Sequence, residues 1–479
     1  MIFSSFRFLL FFLIVLALYY GWRGRRWRNV MLLVASYVFY AAAEPRYVGL
    51  LLGTTVIDYV VAHGIVRTDS RARQKAWVWL SVLWNLGVIG YFKYADFFIQ
   101  NVNEAAQALG FHPDLQLLHI VVPVGVSFYN FQSMSYALDV YRGQTRPTRN
   151  FIEFALCVAF FTHLVAGPIV RVGELLPQIE RGTSTRWDDV VAGINRFAQG
   201  FARKALVADN LAPYVDRVFA DPGSFNGLTL WCASIGFAVQ CYCDFAGYTD
   251  MAIGCARLLG FWLPENFRWP FLARNVADFW RRWHMTLYSF MRDYLYISLG
   301  GSRVSPARQV LNALITMTLV GLWHGAAWNF VLWGVYNGVL VVGYRLLAGG
   351  LRRARGPAAF LGTLPGRMLG VACTDVLFFL SFALFRSRGS LHGALDNVGR
   401  MLTLDGSGQR LLNGWVPLAF AAVLLGSLAC ELRWYERAGA WLRGRPWAVP
   451  LEALGYALLI IALVLCAPHD TQAFVYFQF

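Results

Sequence analysis

RQVLNALITMTLVGLWHGAAWNFVLWGVYNGVLVVGYR, residues 308–345, decides how this chain is read. Between its terminal arginines stands one ionisable side chain of the charged or imidazole type, His324, in the string Gly321-Leu322-Trp323-His324-Gly325. The apolar runs 309–322 and 327–344 that flank it carry no charge. An ionisable group at membrane depth is costly unless it is paired or faces a wet cavity, so His324 is expected to serve a function. The competing expectation is a core histidine hydrogen-bonded between two helices.

Composition places the whole chain in the same medium. Hydrophobic residues make up 57% of the 479 and charged residues 14%, against about 25% charged in an average soluble domain. Apolar segments recur at 29–43, 47–66, 76–92, 119–138, 151–170, 227–243, 309–322, 327–344, 366–385, 414–430 and 453–468. A full crossing takes about 20 helical residues, so the shorter ones are expected to include re-entrant or interfacial helices. Arg7 precedes an apolar stretch from Phe8 to Tyr20, but no small-x-small cleavage pattern follows, and Arg23, Arg25, Arg26 and Arg28 come next. This reads as a retained first span with Met1 outside and the arginines in the cytoplasm.

The loops Arg67–Lys75 and Arg142–Arg149 then fall inside after two crossings each, as do Arg352-Arg353-Ala354-Arg355 and the Arg433–Arg445 loop counted from the other end. The tail from Ala473 to Phe479 then lies outside. Simple alternation fails over 171–226, which it places outside although seven arginines and lysines lie there. Either 151–170 or a neighbour does not cross, or the middle holds re-entrant helices shielded by protein or water. The net charge of +15 follows from these loops and their contact with anionic lipid, and nucleic-acid binding is not indicated. Cys241-Tyr242-Cys243 lacks metal-site spacing, so no metal is expected, and no Walker loop, dinucleotide fingerprint or G-x-S-x-G elbow occurs.

A second segment, PENFRWPFLARNVADFWRRWHMTLYSFMRDYLYISLGG over 264–301, is apolar but laced with charge. It makes a poor span and suits a helix at the interface or along a polar cavity. Helical spacing would pair Asp278 with Arg282 and set Trp280 beside His284 on one face. For Arg281, Arg282 and Arg292 the alternative to a site role is topology and contact with lipid phosphates.

These blocks carry a family resemblance. Asp278-Phe279-Trp280-Arg281-Arg282-Trp283-His284, the following Arg292-Asp293-Tyr294, and Leu322-Trp323-His324-Gly325 resemble the membrane-bound O-acyltransferase family. Asp244 to Gly254, His163 to Pro168 and the closing Phe474-Val475-Tyr476-Phe477-Gln478-Phe479 resemble further blocks of its bacterial, alginate-acetylating branch. The resemblance implies an all-α polytopic fold of about 10–12 membrane helices, with re-entrant and interfacial helices around a central funnel or tunnel. It implies one domain over 1–479, with N-terminal helices in 1–150, a core holding both motif histidines in 151–345 and C-terminal helices in 346–479. It further implies His324 as catalytic and His284 as its support, acetyl-CoA as donor from the cytoplasmic side with no bound cofactor, and periplasmic partner proteins that complete transfer to an exported polysaccharide at the bacterial inner membrane.

The chemistry agrees on its own terms. Acyl transfer from a thioester needs the acceptor hydroxyl deprotonated as it attacks, and an imidazole kept neutral by apolar surroundings is a suitable general base. Asn329, Trp323 or helix-end amides are candidate donors to the oxyanion. Asp244 and Asp250 are expected to pair with nearby arginines, and His163 to border a cavity. His63, His112, His119, His392 and His469 read as ordinary. A transporter or flippase with His324 as proton relay is the rival from another class. Within the enzyme reading, alginate, cellulose, peptidoglycan or another polymer remain open as acceptor.

Overall fold

The computed structural model describes every residue except Met1, Arg23, Ala354, 388–390, 435–440, 442–444, Pro446, 469–473 and 476–479, and describes 351–353, 355–358, Ala448 and Glu452 by backbone alone. His469, the closing 476–479, and most of the Arg433–Arg445 loop therefore lie outside the described residues. The chain is all-α: among the described residues there is no β-strand, only an isolated bridge between Phe225 and Gln409. Among the described residues five helices are long and apolar enough to cross a membrane, Pro45–Val66, Gly227–Leu258, Trp328–Gly350, Leu364–Arg386 and Val449–Cys466. Phe6–Gly21 and Trp415–Glu431 are shorter apolar helices. Their outward leucines, valines and isoleucines are exposed because lipid, not water, is the solvent they meet.

Two compact units divide the contacts, Met1–Gln199 with Tyr248–Pro264, and Gly200–Gly247 with Glu265–Phe479. In the first unit, the expected span 151–170 is broken. Helix Phe151–Ala159 stops at Phe160, a four-residue turn Phe161–Leu164 follows, and the chain runs on without regular structure through Gly167 and Pro168. All of 160–170 is buried, and Ser36 accepts the Phe161 backbone N–H. Irregular backbone enclosed by protein is the permitted exception at membrane depth, which is why alternation failed there. The expected span 119–138 also begins late: residues 111–123 carry no regular structure, and the helix starts at Val126. Pro123 offers no N–H, Gly125 sits at φ +74°, and a Cβ there would meet the Leu164 carbonyl at 2.5 Å. The Asp96 carboxylate takes the stranded amides of Leu118 and Ile120.

Phe8, Phe12, Phe39 and Phe161 form the aromatic centre of this unit. His163 is buried in it, bonded at 2.9 Å to Gln132, whose amide donates to the Cys157 carbonyl. It is a core histidine bonded through Nε2, with Nδ1 buried and without a hydrogen bond among the described residues. In the second unit, helices Pro306–His324 and Trp328–Arg353 pack along each other, with Leu364–Arg386 against the latter. Gly321 and Gly334 allow that closeness: a Cβ on Gly321 would stand 2.2 Å from the Phe330 carbonyl, and one on Gly334 2.5 Å from that of Met317. Small residues at a helix crossing let backbones approach where no hydrophobic effect drives them together.

Candidate active site

His284 owes its place to a broken element. The segment 264–301 is not one helix: a short helix Val276–Trp280 is capped by the Asn275 side chain, which accepts the Asp278 N–H at 2.9 Å, and it ends at Trp280. His284 follows at φ +44°, ψ +51°, and a new helix, Met285–Phe290, starts after it and runs into a π-helical turn over Met291–Tyr296. Trp280 and His284 therefore do not share a helix face, contrary to the spacing argument. The cause is competition for backbone partners, since the Arg268 N–H bonds the Arg282 carbonyl at 2.8 Å and the Met285 N–H bonds the Asn266 carbonyl at 2.9 Å. Those two bonds hold a non-glycine residue in the left-handed region, a strain found where geometry serves function.

The side chain is then fixed by Asn266. Its Oδ1 accepts Thr286 Oγ1–H at 2.9 Å and the Thr286 N–H at 3.4 Å, so the His284 nitrogen 3.0 Å away, Nδ1, must carry a proton. Nε2 is thus the lone-pair nitrogen, and it is buried with no hydrogen-bond partner among the described residues. Burial pushes the imidazole down to about 3, so it is neutral at physiological pH. The edge of Phe245 meets its ring at 4.7 Å.

His324 ends helix Pro306–His324, where Gly325 turns extended under the Phe330 ring. It is 6% exposed. The rings of Trp323, Trp333 and Phe385 surround it at centroid distances of 4.8, 5.0 and 5.1 Å. Asn329 donates its side-chain amide to the Phe385 carbonyl at 3.1 Å, which ties the next helix to this cage. Trp323 also lies 5.9 Å from the His284 ring, so one indole contacts both imidazoles.

Two neighbouring cavities share lining residues here, and one of them is lined by His284. The inner one, about 220 Å³, is mostly apolar and is lined by Trp280, His284, Leu287, Met317 and Val320, with Arg292, Tyr296 and Arg345 at its edge. The outer one, about 650 Å³, is lined by Arg274, Arg281, Arg282 and Arg345 with Asp278 and Tyr344. Trp280, Tyr288, Val341 and Arg345 border both. Asp278 and Arg282 pair at 3.0 Å as the spacing predicts, and Arg282 also reaches Glu431 at 3.4 Å. Arg292 pairs with its neighbour Asp293 at 2.6 Å. The structure thus brings His284, Trp280, Arg281, Arg282, Arg292 and Asp278 around this space, while His324, Trp323 and Asn329 line neither cavity. Trp333 packs on Trp280 at 6.0 Å and on His324 at 5.0 Å, linking the cavity wall to His324.

Sequence reasoning missed Asn266, Arg274 and Arg345. Arg345 was visible only as the end of an apolar run, although its place about three turns beyond Trp333 on one helix was readable from the 3.6-residue period. Asp250 pairs with Arg196 at 2.7 Å as expected. Among the described residues Asp244 does not pair with an arginine. It takes Lys204 at 2.9 Å and the Val475 N–H at 2.7 Å, because Lys204 lies in the buried π-helical turn Arg203–Ala208 and Asp209 joins it at 2.7 Å.

Comparison with known proteins gives these features a context. The profile of the membrane-bound O-acyltransferase family matches residues 142–355. The chain is 40% identical to the probable alginate O-acetylase AlgI of Pseudomonas putida over the whole of both proteins. It is 45% identical to the corresponding protein of Azotobacter vinelandii, over 71% of this chain and 67% of that one. A peptidoglycan O-acetyltransferase of Helicobacter pylori is 33% identical over 79% of this chain and 74% of its own.

Proposed function

Because this chain belongs to the membrane-bound O-acyltransferase family and is a membrane O-acyltransferase, we propose that it moves an acetyl group from acetyl-CoA on the cytoplasmic side to a hydroxyl on an exported polysaccharide such as alginate. Its membrane in this reading is the bacterial inner membrane, and periplasmic acetyltransferase partners finish delivery to the polymer. Family membership sets the transporter reading aside. Alginate is favoured over peptidoglycan by the closer identity to the alginate O-acetylases.

The observation that carries the donor assignment is the arginine-lined outer cavity sharing Trp280, Tyr288, Val341 and Arg345 with the apolar inner one that His284 lines. Guanidinium groups suit the phosphates of coenzyme A, and an apolar passage suits the uncharged arm that presents the thioester. The thioester then arrives in the inner cavity beside His284, which positions it by contact. His324, whose ring packs on the Trp323 indole that also contacts His284, acts as general base on an acceptor hydroxyl brought within hydrogen-bond reach of it: it takes the hydroxyl proton as the oxygen attacks the carbonyl carbon. The C–S bond breaks, and the imidazolium returns the proton to the departing thiolate, so that an ester and a free thiol result. Trp323 and Asn329 act by holding the cage in which His324 sits.

Ester-linked acetate on the cell's exopolysaccharides tests this. In a deletion strain, wild type should restore acetate to one polymer and His324→Ala should not, at equal membrane abundance. Purified wild type should also consume acetyl-CoA in the presence of acceptor. Acetylation retained in His324→Ala removes that residue from the chemistry, and absence of acetyl-CoA consumption removes the donor assignment.

A further inference from the structure

The first unit contains a cavity of about 350 Å³ that the acyl-transfer chemistry does not use, lined by Arg25, Arg28, Arg181, Asn29, Thr183 and Ser184 among others. Arg28 is already oriented. Its Nε–H donates to the carbonyls of Tyr19 at 3.0 Å and Trp22 at 3.3 Å, and its guanidinium stacks over the Tyr19 ring at 4.6 Å. Its two terminal amino groups make no hydrogen bond among the described residues. Arg181, at the end of helix Val172–Arg181, has no side-chain hydrogen bond or ion pair among the described residues. Arg25 pairs with the buried Glu153 at 3.5 Å, so the three arginines face one carboxylate and the cavity keeps a surplus of two positive charges.

The surroundings say what kind of anion fits. Trp22 and Trp27 pack on each other at 4.9 Å beside the cavity's arginines and are 57% and 42% exposed, with Tyr20 46% exposed. Exposed tryptophan and tyrosine at the end of an apolar helix mark the head-group level of a bilayer. Helix Phe6–Gly21, which ends at this cavity, exposes Leu10, Leu13, Ile14 and Leu18. A ligand with a phosphate at one end and hydrocarbon at the other matches both halves of this surface: a guanidinium fork for the phosphate and an apolar helix face for the chains.

We propose that this cavity is a head-group site for an anionic phospholipid, with the phosphate held by Arg28 and Arg181 and the acyl chains laid along helix Phe6–Gly21. Free phosphate shares the head-group chemistry but leaves the exposed leucine face without a role.

Native mass spectrometry of the purified full chain, titrated separately with phosphatidylglycerol and phosphatidylcholine, tests the assignment. Wild type should hold one saturable phosphatidylglycerol, at least tenfold more tightly than phosphatidylcholine, and should melt at a higher temperature with it. Arg28→Gln/Arg181→Gln should lose that preference. Arg181→Gln alone removes a charge without removing a protein contact, so it keeps the fold while weakening the adduct, and Arg28→Lys, which keeps charge but not the planar fork, should fall between. Equal phosphatidylglycerol retention in wild type and Arg181→Gln overturns the site. So does equal binding of the two lipids by wild type. Displacement of the lipid by millimolar inorganic phosphate, with the same rise in melting temperature, overturns the lipid as its occupant.

Discussion

At the scale of the residue, the two histidines differ in what fixes them. Asn266 and a left-handed backbone fix His284, whereas rings hold His324. Loss of a general base typically costs about 10²–10⁴ in rate, so His324→Ala should lower acetyl transfer by that range while membrane insertion stays normal. His284 carries a pH prediction. Its imidazole is pushed down to about 3 by burial, whereas an unfolded histidine titrates near about 6.5. As pH falls, the unfolded chain takes the proton first, so the stability tied to this residue is whole above about 6.5 and is lost as pH drops toward 3. His284→Asn, which tolerates the left-handed backbone, should flatten that part of the melting-temperature curve measured in detergent. An unchanged acid limb would show that His284 is protonated in the fold.

At the scale of the element, the segment 264–301 is held by pairings between its two halves and by Arg282. This arginine is partly buried against Asp278 and Glu431, so Arg282→Ala should lower the yield of folded protein at least as much as it lowers turnover. Wild-type yield with lost turnover would move Arg282 into substrate binding. Gly321→Ala sets a methyl into the Phe330 carbonyl. Overpacking of that kind costs about 1–3 kcal/mol, and a melting temperature equal to wild type would show that the helix pair can separate without loss. The spacing rule worked for Asp278 with Arg282 because a pair four residues apart can also close across a turn. It failed for Trp280 and His284 because Asn266 and Arg268 compete for the backbone.

At the scale of the whole molecule, what joins distant parts of the second unit is a buried charge cluster. Lys204 bonds Asp209 and Asp244, all three nearly inaccessible, and Asp244 also takes the Val475 N–H from near the end of the chain. Removing one partner of a buried ion pair costs about 3–5 kcal/mol, because the others stay charged and unpaired. Lys204→Met should therefore leave little folded protein in the membrane fraction, whereas Lys204→Met with Asp209→Asn and Asp244→Asn should recover part of it. Normal yield of the single variant would show that water reaches the cluster.

The sequence by itself determined the solvent of this protein and drew attention to His324, since both depend on local composition: apolar length sets what can lie in lipid, and one histidine in 308–345 stands out against it, whereas His284 was singled out by the family resemblance of its block. It also showed that simple alternation fails over 171–226, leaving 151–170, a neighbour or re-entrant helices as the cause, and the structure shows the break at Phe160. Only the tertiary structure decided that His284 lines the inner cavity while His324 sits among the rings of Trp323, Trp333 and Phe385. It alone brought Asn266, Arg274 and Arg345 to the first histidine's space. Those placements rest on backbone pairings between residues far apart in sequence and on the close crossing at Gly321 and Gly334. A periodic pattern along one chain carries no information about which remote amide or carbonyl will take a given partner.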